Sequence, residues 1–277
     1  MYIIYMDNNN FQQYLVKLGL KPNTIKNHLR NLNKYNDLNF YNLKLNQMNV
    51  IKNLTDDELN NSQRLTISST MSKYLQYSLL PNEKLVEYIK SINNQLQKQY
   101  NERNKKKEYE YSKKDILKEI NRFYKEGNHR AYIVSYLVYY YNTRNNDLNV
   151  NICRSKRYAK DEKSNYLILR KNSVLYIRNN YKTSKTYGSK THEIKSKKFI
   201  KSVEYLLQDP DIKCTKVFDG FSNSTNILKN YLPYGLKTSD IVKIILSEDN
   251  TLNKANKISK NRGTNLQTLQ NNYNIIV

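Results

Sequence analysis

Cysteine, histidine and acidic residues are all scarce in this chain, and each scarcity excludes a class of function. The two cysteines, Cys153 and Cys214, have no CxxC spacing. They cannot build a structural zinc site and are expected as isolated thiols in a reducing, intracellular compartment. His28, His129 and His192 are scattered, with no HExxH and no carboxylate cluster beside them. Metal-dependent hydrolysis therefore has no support, and neither a metal nor any other cofactor is expected. No apolar run approaches the roughly 20 residues of a membrane-spanning helix. The apolar start from Met1 to Met6 is too short for a signal peptide, so no membrane partner is expected.

Against 24 acidic residues stand 47 Lys and Arg, a net charge of +23 with an isoelectric point near 9.7. A field of that size attracts polyanions, and nucleic acid is the leading partner. Heavy use of Asn, Lys, Tyr and Ile fits an AT-biased genome, which accounts for part of the lysine count without removing its electrostatic consequence. The hydrophobic fraction of 38% is low, but 26 tyrosines add apolar area that this total undercounts. A folded chain of 277 residues is long enough for two domains.

The first hundred residues read as helices. Phe11, Tyr14, Leu15 and Leu18 recur at helical spacing and stop at Gly19, and Ile25, Leu29, Leu32 and Tyr35 repeat the pattern after Pro22-Asn23-Thr24. Thr55 and Glu58 have capping-box spacing and predict a third helix start, with further helices over 64–77 and from 83 to about 98. From 101 to 111 the apolar period gives way to a charge run, read either as a basic linker or as the exposed end of one continuous helix.

Beyond it, Ser112 and Asp115 open a helix whose apolar face is Ile116, Leu117, Ile120 and Phe123, closed by Gly127. Ala131 to Tyr141 is apolar on most sides and predicts a buried central helix. Strand signals at 166–169, 174–177 and 191–194 predict a small antiparallel sheet, and helical patterns return at 199–207, 225–231, 239–246 and near the C-terminus. The fold class expected is mainly α with a small antiparallel β-sheet, an α+β chain of a helical domain over 1–100, a linker over 101–111 and a second domain over 112–277.

Three stretches carry a family resemblance. Leu20-Lys21-Pro22-Asn23-Thr24-Ile25-Lys26-Asn27-His28-Leu29 resembles the opening of the helical core-binding domain of tyrosine recombinases, the phage-integrase family. Tyr139 to Leu148 is similar to that family's first arginine box, with Arg144 followed three residues later by Asp147. Tyr181-Lys182-Thr183-Ser184 resembles the β-turn that carries the catalytic lysine, and the tail from Asn261 to Tyr273 its closing helix with the nucleophile. The resemblance implies a core-binding domain, an integrase-like catalytic domain, and cleavage and rejoining of double-stranded DNA through a 3′-phosphotyrosyl bond. It also implies a homotetramer on DNA, and a viral or mobile-element setting suits the composition.

The resemblance assigns roles that phosphoryl chemistry can use. Arg144 clamps the phosphate, Lys182 protonates the departing 5′ oxygen, and Tyr273 attacks, its phenol having an ordinary pKa near 10 that cations must offset. An alternative role for Arg144 is a salt bridge to Asp147. The second arginine of the family falls on Lys237, which keeps charge but loses bidentate geometry, and the preceding His or Lys falls on Tyr234. Nine residues before Tyr273, where the family has His or Trp, stands Thr264 after Gly263, with Arg262 beside them. Tyr187, Tyr231 and Tyr234 are alternative nucleophiles on chemistry alone. These departures open a second expectation, a DNA-binding protein of the same ancestry whose chemistry is weakened or lost.

Overall fold

In a computed structural model, described for residues 8–37, 46–105, 110–218, 228–248, 251–266 and 269, the chain divides into two units between Arg103 and Asn104. The first unit is helical: α1 (Asn8–Lys17), α2 (Pro22–Asp37), α3 (Gln47–Asp56), α4 (Asn61–Tyr77) and α5 (Glu83–Lys105). Pro22 occupies the first position of α2, where its missing N–H has no intrahelical partner to lose. The apolar faces of α1 to α5 meet in one core that includes Phe11, Leu15, Leu32, Val50, Leu54, Met71 and Leu85. Phe11 packs edge-on against Tyr74 at 5.1 Å.

The start expected at Thr55 is not there. Thr55 lies inside α3, where its hydroxyl donates to the Ile51 carbonyl, and the capping box is built one turn later by Asn60 and Gln63. Either pair can satisfy first-turn amides; burial of Val50 and Leu54 extends α3 through Thr55. The helix before the boundary runs on to Lys105, so the charge run begins as helix.

The second unit opens with α6 (Lys113–Lys125), whose Ser112–Asp115 capping box is formed as expected. Then comes α7 (His129–Tyr141), buried along most of its length. Five strands follow, interleaved with two helices: β1 (Val150–Cys153), β2 (Asn165–Arg170), β3 (Ser173–Arg178), a single-turn α8 (Ser184–Tyr187), β4 (Lys190–Ile194), α9 (Lys197–Leu206) and β5 (Cys214–Lys216). The unit closes with α10 (Thr238–Glu248) and α11 (Leu252–Arg262). The chain is mostly helical with a small sheet, an α+β fold.

The sheet corrects the wholly antiparallel expectation. Its order is β4-β3-β2-β1-β5, with β1 and β2 parallel and every other pair antiparallel. One face joins α6, α7, α9, α10 and α11 in the main core; the other carries a smaller cluster of Cys153, Tyr166, Ile168 and Leu175. Coverage of both faces explains why β2 and β3 read as continuous apolar runs. β1 and β5 are short, and β5 is polar, so they lack a period-2 signal.

Cys153 and Cys214 are not isolated. They face each other across β1 and β5 and form a disulfide. The Arg154 N–H donates to the Lys213 carbonyl, which makes the preceding Cys153–Cys214 register a non-hydrogen-bonded pair. Such pairs bring opposing side chains closest together. A separation of 61 residues hides this from any spacing rule.

Candidate functional site

The segment that carries Arg144 is set by the end of α7. Asn142 closes that helix in the left-handed conformation (φ 52°), which asparagine tolerates better than most residues. The Thr143 hydroxyl then donates to the Leu137 carbonyl at 3.0 Å. Arg144 itself is extended and precedes a 3-10 turn over Asn145–Leu148. Its Nη1 is buried and has no hydrogen-bond partner among the described residues.

Asp147 does not hold Arg144. Its carboxylate is taken by Arg178, at the end of β3, through a 2.7 Å contact in which both side chains are buried. Arg178 also donates to the Asn261 carbonyl at 2.5 Å and lies over the Tyr181 ring. The box is thus wired to β3 and α11 by a cation that sequence reasoning overlooked, because Arg178 reads as the polar end of a strand.

Arg144 opens on a cavity of about 460 Å³, lined also by Lys182, Thr183, Thr186, Tyr187, Arg262, Gly263, Thr264 and Leu269. Arg144, Lys182 and Thr264 of the predicted site, and Tyr187 of the alternative nucleophiles, therefore share one concavity with Arg262. Lys182 and Thr183 come from the β3–β4 connection, which contains the α8 turn where a simple β-turn was expected. Arg262 is buried, and its Nη1 donates to the Asn142 carbonyl at 3.3 Å, tying the end of α11 to the turn before Arg144.

Gly263 makes that junction possible. It caps α11 at φ 59°, and an added Cβ would lie 2.6 Å from Thr183 Oγ1 and 2.7 Å from Tyr181 Cε2. No other residue fits there without displacing the lysine-bearing connection. The Thr183 hydroxyl donates to the Gly263 carbonyl and Lys190 Nζ to the Lys260 carbonyl, so terminal carbonyls of α11 are satisfied from the β3–β4 connection and from the start of β4.

Lys190 is the second residue that sequence reasoning missed. Burial, then the charges of Arg178 and Arg144, push its pKa down to about 8, while Asp147 opposes them. Its ammonium lies 5.0 Å from the Tyr181 ring centroid. Two residues on, His192 is pushed down to about 4 by burial, Arg178 and Lys190, and its Nε2 is buried without a partner among the described residues. Both are shifted toward the neutral form, first by burial and then by the same buried arginine.

Lys237 and Tyr234 do not line the cavity. Lys237 is exposed immediately before α10. The next residue, Thr238, donates its hydroxyl to Asn145 Oδ1 at 2.7 Å, one position from Arg144. Tyr234 stacks on Tyr111 with centroids 3.9 Å apart and donates to the Asp115 carbonyl at 3.3 Å. Its φ of 53° and this packing give it a place in the α6 contact.

Tyr273 lies outside the described residues. Leu269, four positions before it in sequence, is buried and lines the cavity. Several other tyrosines are poor nucleophiles. Burial pushes Tyr132, Tyr141 and Tyr176 up to about 12, away from the phenolate form.

Among the described residues no cluster of His, Cys, Asp or Glu could hold a metal, and no helix is long and apolar enough to cross a membrane. No family model, curated protein or solved structure matches the chain.

Proposed function

We propose that this chain cleaves and rejoins double-stranded DNA through a covalent bond between Tyr273 and a 3′ phosphate. The observation that carries the reading is Arg144: a buried guanidinium nitrogen without a partner among the described residues, opening on a cavity that also presents Lys182 and Arg262. An unsatisfied buried donor calls for a ligand, and a cationic cavity calls for an anion. A phosphodiester supplies acceptor oxygens and gains charge in the transition state, where such donors act most strongly.

In this reading the Tyr273 oxygen attacks phosphorus, the P–O5′ bond breaks, and the 5′ oxygen takes a proton from a lysine. Lys182 lines the cavity. Lys190 is the alternative donor, because its proton is already loosened. Religation reverses these steps, so the energy of the phosphodiester is conserved in the tyrosyl bond. Strand exchange then takes place in a homotetramer assembled on DNA.

The experiment is a trapping assay with a duplex nicked close to the cleavage position, so that the short 5′-hydroxyl product diffuses away. Wild type accumulates a covalent adduct on denaturing gels and Tyr273→Phe does not. No adduct from any duplex sinks the enzymatic reading, and an adduct that persists in Tyr273→Phe sinks the assignment of the nucleophile to Tyr273. A second reading, a DNA-binding protein that keeps the cavity and has lost the chemistry, is favoured by one observation. Lys237 and Tyr234, which stand where the family has charged or ring donors, are not in the cavity. Salt-dependent binding without any adduct supports that reading.

A further inference from the structure

Tyr187 is placed unlike the other rings of its neighbourhood. Tyr181 and Tyr176 are buried at 2% and 0% exposure, and the Tyr181 hydroxyl is spent on the Gly188 carbonyl at 2.7 Å. Tyr187, at the end of α8, is 48% exposed, yet it lines the same cavity as Arg144, Lys182 and Arg262. Lys190 Nζ lies 5.7 Å from its ring centroid. Gly188 follows at φ 67°, a conformation that glycine adopts without strain.

A half-exposed aromatic ring beside a cationic cavity suits a ligand that joins a flat apolar face to an anion. A nucleotide has that form. If the cavity holds a phosphate, the base attached through the neighbouring sugar lies at the rim, within reach of a ring there. In continuous duplex both faces of each base are already stacked; at a nick or strand end one face can be released. Base–aromatic stacking tolerates any sequence, because every base has a π-face.

We propose that Tyr187 is a stacking platform for the base next to the phosphate held at Arg144, engaged when a strand break frees that base. The proposal rests on the cavity being the phosphodiester site, and it adds a preference for broken over continuous strands. It assigns Tyr187 to binding, with the chemistry left to Tyr273.

The test is titration of a duplex carrying 2-aminopurine beside a nick, against the same duplex without the nick, following fluorescence and affinity. The proteins are wild type, Tyr187→Phe, Tyr187→Ala, Tyr187→Leu and Arg144→Ala. Wild type and Tyr187→Phe are expected to prefer the nicked duplex and to quench the probe. Tyr187→Ala and Tyr187→Leu are expected to bind nicked duplex roughly tenfold more weakly, without loss on continuous duplex. Equal binding and quenching by Tyr187→Ala overturns the platform, as does full retention by Tyr187→Leu, because any apolar side chain would then serve. If wild type binds duplexes and Arg144→Ala weakens it while Tyr187→Ala does not, the platform alone fails. If wild type binds no duplex, the phosphodiester reading fails and takes the platform with it.

Discussion

Arg178 and Asp147 form a buried ion pair, Nη2 to Oδ2 at 2.7 Å, with side chains 0% and 1% exposed. The pair joins the end of β3 to the turn after Arg144 and, through Arg178, to the Asn261 carbonyl. Removing one partner strands the other charge in the core. Asp147→Ala is therefore expected to lose about 3–5 kcal/mol of stability, and Asp147→Ala with Arg178→Met to recover part of it. Urea unfolding with an unchanged m-value checks this. A single mutant as stable as wild type would show that the pair contributes nothing.

Arg144 should behave in the opposite way. Its Nη1 has no partner among the described residues, so Arg144→Ala is expected to leave the thermal midpoint close to wild type. Adduct formation in the trapping assay should fall by about 10²–10³, with little rescue by Arg144→Lys, which restores charge without the bidentate fork. Loss of folding in Arg144→Ala would instead make it a structural residue.

Lys190 gives a pH dependence with a definite sign. A proton donor must be charged, so a cleavage rate that depends on Lys190 is present below about pH 8 and lost as pH rises through it. The descending limb should vanish in Lys190→Met while overall rate falls. Persistence of that limb in Lys190→Met, and its loss in Lys182→Met, would return the role to Lys182. Stability runs the other way: the folded state releases this proton more readily than the unfolded chain, so stability rises with pH above about 8 toward the ordinary lysine value.

His192 reports on the acid side. Its folded pKa of about 4 lies below the ordinary 6.5, so the unfolded chain binds the proton first. Stability is thus full above about pH 6.5 and declines as pH falls toward 4. His192→Gln should flatten that part of the profile, measured as thermal midpoints between pH 4 and 7. An unchanged slope would assign acid sensitivity elsewhere.

Local signals made much of this fold legible. Gly19, Pro22, the Ser112–Asp115 box and the apolar run of α7 each encode their element within a few residues, and all four appear as read. Long-range pairings were not legible. Nothing near Asp147 indicates that its partner is Arg178, 31 residues on and not Arg144, three residues away. Nothing near Lys190 shows that its ammonium will donate to the Lys260 carbonyl of α11. Arg144, Lys182 and Thr264 could be gathered from family-like stretches, whereas Tyr234 misled because its spacing matched and its packing partner, Tyr111, is 123 residues earlier.

The Cys153–Cys214 bond closes a covalent ring over the intervening chain, and that ring contains β2, β3, the Lys182 connection, β4 and α9. A protease that cuts the exposed stretch at Lys185 or Thr186 would therefore open the ring without releasing a fragment. The nicked molecule should migrate at full mass on a non-reducing gel and split into two pieces only when a thiol is added. Cys214→Ser should split in both lanes. In the oxidised protein, backbone continuity at the lysine-bearing connection is dispensable for keeping Arg144 and Lys190 on one molecule.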